Sequence, residues 1–210
     1  MNNNPLIPSL KLAELELVHQ TACKFVKAAV HYEMIDACQE LEQLADLKVS
    51  GVFVTLKRGN TLRGCCGMLG ASLALSEALA DSAKQTALHD PRMAPITAIE
   101  LPHLTLSVSV LGTPRVLNVA GEDRVNAIQI GRHGLRIRYE NHAGLLLPAV
   151  AKERDWSARQ FLDAVCTKAG LPPETWKSED AMVEIFDGID HSAAFVCGVT
   201  AAETTTVSPE

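Results

Sequence analysis

No stretch of this sequence is long and apolar enough to span a membrane. The longest apolar runs, Gly144 to Ala151 and Ala193 to Ala202, are broken by Pro148 and Gly198 and fall short of the roughly 18–20 residues a spanning helix needs. An excess of positive charge is missing as well. Nineteen Lys and Arg stand against 25 Asp and Glu, a net charge of −6, so a strong nucleic-acid signal is absent. There is no Cys-x-x-Cys pair, which leaves a structural zinc site without its usual ligand spacing. Met1-Asn2-Asn3-Asn4-Pro5 lacks the basic and apolar regions of an export signal, so a cytoplasmic location is expected. Repeats, linkers and low-complexity tracts are lacking too.

What remains is a globular composition. Hydrophobic residues make up 47% and charged residues 21% of 210, which excludes a mainly disordered chain. A single domain of this length buries roughly 70% of its unfolded surface. The six cysteines, at 23, 38, 65, 66, 166 and 197, are not needed as staples in a chain of this size. Cys23, Cys38, Cys166 and Cys197 lie in apolar patterns and read as small core residues. Trp156 and Trp176 read as anchors of helix packing.

Apolar spacing predicts helices over residues 10–31 and 33–46. Gly51 to Leu56 and Thr61 to Leu69, joined by Arg58-Gly59-Asn60, predict a hairpin. Ser72 is placed to cap a helix ending before Asp90-Pro91. Leu104, Leu106, Val108 and Val110 alternate with Thr105, Ser107 and Ser109, the pattern of a half-buried strand. Residues 134–139 and 143–149 form a second predicted hairpin. Ser157 starts a helix that Gly170 stops, and residues 181–186 suggest a last strand. Hairpins without regular β-helix-β alternation indicate an antiparallel α+β fold.

The segment Thr61-Leu62-Arg63-Gly64-Cys65-Cys66-Gly67-Met68-Leu69 draws the attention. As a strand it puts Leu62, Gly64, Cys66 and Met68 on one face and Arg63, Cys65 and Gly67 on the other. Cys66 is then core. Cys65 shares its face with a guanidinium, and a nearby cation favours the thiolate, the reactive form. Gly64 and Gly67 leave bare backbone that a ligand, or another chain segment, can approach. A glycine bulge with a buried cysteine fits the same residues. His89-Asp90-Pro91-Arg92 reads as a helix terminus, and Gly131-Arg132-His133-Gly134 as a turn entering a strand. Arg132, Arg136 and Arg138 form a basic strand face that suits either solvent or phosphate.

Taken together, LRGCCG at 62–67, Asp90-Pro91-Arg92, Glu100-Leu101-Pro102 and Ser107-Val108-Ser109-Val110-Leu111 resemble, in order, the AMMECR-type domain. Gly131-Arg132-His133-Gly134-Leu135, Leu145-Leu146-Leu147-Pro148, Cys166-Thr167-Lys168-Ala169-Gly170-Leu171-Pro172 and Trp176 continue the match. Bacterial and archaeal members are called AmmeMemoRadiSam system protein A. Cys66 stands where the family pattern has Ile, and Ala149 where relatives often carry a polar residue. The resemblance implies an α+β fold, a mainly antiparallel sheet flanked by helices, with a smaller lobe and the LRGC segment lining a cleft. It implies one two-lobed domain, taken over residues 10–190; the polar tail 203–210 and residues 1–9 are expected to be flexible ends. It also implies a Memo-like protein and a radical-SAM protein as partners, and it supplies neither a reaction nor a cofactor.

Two kinds of function follow. In the first, Cys65 is a nucleophile acting on a nucleotide-like or other small anionic substrate, with His133 as general acid/base and Asp90 orienting it. Arg63, Gly64, Gly67 and Arg92 then bind the substrate. In the second, the chain is a non-catalytic binding or adaptor module for its partners, with Arg63, Arg92, Arg132 and the glycine amides holding the ligand. A packing motif with the working surface elsewhere is a third possibility. Zinc or iron on Cys65, His133 and Asp90 is a weaker fourth, since no ligand pair has a diagnostic spacing.

Overall fold

The computed structural model describes residues 10–196, apart from Ala45. The expected flexible ends 1–9 and 203–210, Cys197 and the Cys38 side chain lie outside the described residues. The chain runs α1 (Leu12–His31), α2 (Ala37–Glu40), β1 (Lys48–Arg58), β2 (Thr61–Ala74), α3 (Leu75–Leu88), β3 (Thr105–Leu111) and β4 (Arg115–Val116). Then come α4 (Asp123–Asn126), β5 (His133–Tyr139), β6 (His142–Leu146), α5 (Pro148–Glu153), α6 (Ala158–Lys168) and β7 (Met182–Ala194). The strands form one antiparallel sheet in the order β2-β1-β3-β7-β5-β6, with β4 also pairing β7. This is the expected α+β class.

β7 holds the architecture together. Its residues from Gly188 onward pair with β3, while Met182 to Asp187 pair with β5. Two apolar cores form along it. One is built from α1, α3, β1 and β3, with Val18, Phe25, Leu79 and Val108 inside it. The other surrounds Phe161, Val165, Trp176, Leu135 and Ile185. α1 buries Val18, Ala22, Phe25 and Val26 at helical spacing. α3 faces the sheet with small residues, Ala78, Ser82, Ala83 and Thr86, so it packs close. Ser82 Oγ donates to the Val52 carbonyl at 3.1 Å and Thr86 Oγ1 to the Val54 carbonyl at 3.0 Å.

Four expectations are corrected. The helix over 33–46 shrinks to α2 and a 3-10 turn at Glu42–Leu44; Leu41, between them, still faces inward and is fully buried. Ser72 does not cap α3: the sheet ladder continues to Ala74, opposite Lys48, and holds Ser72 in β2. β6 ends at Leu146, because Pro148 starts α5 at a position where its missing N–H costs nothing. The last strand is more than twice its expected length, its second half hidden from the hydrophobic pattern by Asp190, His191 and Ser192. Ser157 does cap α6, with Gln160 completing a capping box.

Two buried imidazoles carry a pH-dependent prediction. His19 is 2% exposed, with Nε2 3.1 Å from the Leu106 carbonyl oxygen, and lies against the His191 ring. Burial is the main cause holding its pKa below the ordinary 6.5. His133 is also 2% exposed and is lowered by burial, opposed by Asp187 and reinforced by Arg132 and Arg115. With folded pKa values below the unfolded one, stability is full above pH 6.5 and is lost as pH falls below it. The slope reaches about 1.4 kcal/mol per pH unit for each histidine. Urea unfolding at pH 7.5 and 5.5 should show this loss, and His19→Gln should flatten the profile.

Candidate functional site

β2 is an edge strand, and an edge strand leaves backbone groups unpaired unless something covers them. At Cys65 the covering groups come from the turn after α3. The Cys65 N–H donates to Asp90 Oδ2 at 2.8 Å, and Arg92 Nη2 donates to the Cys65 carbonyl at 2.8 Å. Asp90 and Arg92 also bind each other. Asp90 Oδ1 accepts from the Arg92 backbone N–H (3.0 Å) and Nε (2.9 Å), and Oδ2 accepts from Nη2 (2.7 Å). Asp90 is buried, and the Arg92 guanidinium with these amides holds its carboxyl far below the ordinary carboxylate range. The Asp-Pro-Arg turn therefore acts as a side-chain strand that completes the ladder.

Neighbouring residues are fixed in the same way. Arg63 Nε donates to Glu100 Oε1 at 2.8 Å, while Glu100 Oε2 accepts from the Thr97 N–H and hydroxyl. The Arg63 guanidinium is the main cause that lowers the Glu100 carboxyl to about 2. Gly64 admits α3: a Cβ there would lie 2.5 Å from the Thr86 carbonyl oxygen. Gly67 faces Phe53 across the hairpin, and a Cβ there would meet the Phe53 ring at 2.3 Å. Both glycines accommodate other parts of this chain. Cys66 turns toward α3, where its N–H donates to Thr86 Oγ1 at 3.0 Å, and burial pushes its thiol pKa up. It is half-buried, less enclosed than a core residue, whereas Cys23 and Cys166 are fully buried.

Cys65 points the other way. Its half-buried Sγ accepts from the Thr55 hydroxyl at 3.3 Å. Register extends this row across four strands, Cys65–Thr55–Ser107–Ser192, with Ser107 Oγ donating to Ser192 Oγ at 2.8 Å. The next row is Gly67–Phe53–Ser109–Asp190, in which the Ser109 hydroxyl donates to the Asp190 carboxylate. Asp190 lines a cavity of about 630 Å³ between β7 and α5, beside Lys152 and Glu153. Although Asp190 is solvent-exposed, partial desolvation by the surrounding chain, with Glu153 nearby, raises its carboxyl pKa against the opposing Ser109 hydrogen bond. One face of the sheet thus carries a thiol, four hydroxyls and a carboxylate.

The structure therefore brings Cys65, Asp90 and Arg92 together, with Gly64, Arg63 and Gly67 adjacent along β2. It does not bring His133 to them. His133 begins β5, opposite Asp187 on β7. Its Nδ1 accepts the Gln129 N–H at 3.1 Å, and its Nε2 lies 3.8 Å from Asp187, whose carboxylate is also held by Arg132. In the sheet order, β1, β3 and β7 stand between β2 and β5, each step about 4.8 Å. Among the described residues no hydrogen bond or ion pair links His133 to Cys65 or Asp90, and no three His, Cys, Asp or Glu side chains gather as a metal site. Thr55, Ser109, Ser192 and Asp190 went unassigned in the sequence. The period-two pattern around Ser107 and Ser109 already marked a polar face, but nothing marked Asp190 as lying in a strand beside them.

Residues 15–190 match the model of the AMMECR1 family. The chain belongs to the AMMECR1 family. A protein of Methanocella arvoryzae is 43% identical over 140 residues, covering 66% of this chain and 71% of that one. One from Methanopyrus kandleri is 39% identical over 169 residues, 77% and 81% of the two chains. The crystal structure of an uncharacterized protein from Pyrococcus horikoshii superposes with a TM-score of 0.80 at 33% identity, covering 89% of this chain and 94% of that one. In this AMMECR1 chain, then, the LRGC, Asp-Pro-Arg and Glu-Leu-Pro segments meet at one sheet edge, where they lock β2 and present the Cys65 thiol. No described helix is long and apolar enough to cross a membrane.

Proposed function

We propose that this AMMECR1 protein is a ligand-binding or adaptor module whose thiol-and-hydroxyl face holds a nucleotide-like molecule for a Memo-like or radical-SAM partner. The observation that carries this is the shared face of Cys65, Thr55, Ser107, Ser192, Ser109 and Asp190. Serine hydroxyls and a carboxylate are the groups that recognise a ribose diol. Arg92, with more than half its side chain exposed, supplies a cation beside the thiol for a phosphate. Arg63 is held by Glu100 and contributes less. Native mass spectrometry tests the idea, with added AMP as the probe. Binding is expected at micromolar concentration, weakened at least tenfold by Asp190→Asn and by Ser192→Val with circular dichroism unchanged. Absence of any retained ligand, AMP adduct or partner complex overturns it.

One observation favours the catalytic alternative, in which Cys65 forms a covalent adduct. The Thr55 hydroxyl donates to a half-buried Sγ, which is access enough for reaction. In that case Asp90 and His133 do not serve as its acid/base pair, since Asp90 is committed to the Cys65 amide and Arg92 and His133 to another part of the sheet.

A further inference from the structure

A second cavity, of about 380 Å³, opens between the two halves of the sheet, apart from Cys65. An irregularity in the hairpin makes it. Val49 pairs with Leu73 and Gly51 with Leu69, so a single residue of β1 faces three of β2. A bulge of this kind re-aims the side chains around it. Gly70 and Ala71 swing to the cavity rim, and Ser50 lines its wall. Ser50 is 5% exposed, and its hydroxyl is the buried side-chain polar group without a hydrogen bond among the described residues. A buried hydroxyl without a partner is unfavourable, which makes it a waiting partner for a bound molecule.

The rest of the lining is largely apolar, including Leu69, Leu111 and Phe186, with one charged exception, Arg136. Arg136 gives Nε and Nη2 to Glu184 at 2.6 and 2.7 Å, and Arg138 Nη2 reaches the same carboxylate at 3.3 Å. Glu184 is 4% exposed. Two guanidiniums thus share one buried carboxylate, leaving one positive charge unbalanced. Arg136 Nη1 makes no hydrogen bond among the described residues.

We propose that this cavity binds a small apolar monocarboxylate. Its charge pairs with the Arg136 guanidinium at the cavity wall, its body covers Leu69, Leu111 and Phe186, and Ser50 supplies a hydrogen bond. Isothermal titration calorimetry of the whole protein, with octanoate as the probe, tests the assignment. Octan-1-ol, octylamine and inorganic phosphate are each expected to bind at least tenfold more weakly, since each lacks the charge, its sign or the apolar body. Ala71→Trp at the exposed rim is expected to weaken octanoate at least tenfold, and Ser50→Ala at least threefold, both with unchanged circular dichroism. These variants leave the Arg136–Glu184 pair intact, so the fold is preserved. Equal binding of octanoate and octan-1-ol, phosphate binding as tightly as octanoate, or full octanoate affinity in either variant overturns the proposal.

Discussion

Arg124→Met is expected to lower the unfolding free energy by about 3–5 kcal/mol, because several buried carbonyl acceptors are left unsatisfied at once. Arg124 is 4% exposed and forms no ion pair with a carboxylate among the described residues. Its guanidinium instead donates to four carbonyl groups, those of Val119, Trp176, Ser178 and Ala181. Burial pushes its pKa down, yet the arginine stays charged and ties α4 to the segment around Trp176. Methionine fills much of the same volume and offers no donor, so buried carbonyl oxygens lose their partners at about 1–3 kcal/mol each. Arg124→Lys keeps the charge but cannot span four acceptors, and it should fall between wild type and Met. Urea unfolding gives the total loss. Amide exchange should place it first around Phe161, Trp176 and Leu135, in the second core. A loss below about 1 kcal/mol would show that water replaces the guanidinium without penalty.

Much of the fold was legible where one face of an element is apolar. α1, the first hairpin, β3 and the capped α6 all follow from spacing, turn residues and caps. Legibility failed where long-range pairing outweighed local chemistry. Ser72 is a good cap residue, but the ladder to β1 reaches past it. Asp190, His191 and Ser192 are poor strand formers by local preference, yet they pair with Ser109, Val108 and Ser107. Asp190 and Ser192 share the polar face of Ser107 and Ser109, while His191 turns to the opposite face against His19 of α1, so the residues that hid the strand also identify the candidate site.

Within the site, the alternation in β2 separated the Cys65 and Cys66 faces from sequence alone. The use of Asp90 was not legible. Its bond to an amide 25 residues earlier exists only because α3 returns antiparallel to the hairpin and delivers its C-terminal turn to the sheet edge. Gly64 and Gly67 likewise signalled a close approach without saying of what. The approaching groups, Thr86 and Phe53, belong to the protein itself.

The lock on the Cys65 edge makes the second large prediction. Asp90→Ala should cost about 2–4 kcal/mol, because a buried amide loses a charge-assisted acceptor and Arg92 loses its partner. Arg92→Ala should cost less, about 1 kcal/mol, since its side chain is more than half exposed and water can solvate the carbonyl it leaves. The pH dependence separates this lock from simple packing. The folded pKa of Asp90 lies well below the ordinary 3.8, and that of Glu100 is about 2 against 4.5. Each group therefore contributes stability above its unfolded value that is lost as pH falls toward its folded value. Wild type should weaken between about pH 4 and 2, and Asp90→Ala should show a flatter profile there. An unlocked edge also frees β2 to fray, so iodoacetamide should label Cys65 faster in Asp90→Ala at neutral pH. If Asp90 instead served to orient a catalytic base, its removal would slow reaction at Cys65 and leave the acid limb of stability unchanged. The two outcomes point in opposite directions, and one alkylation time course beside one urea series distinguishes them.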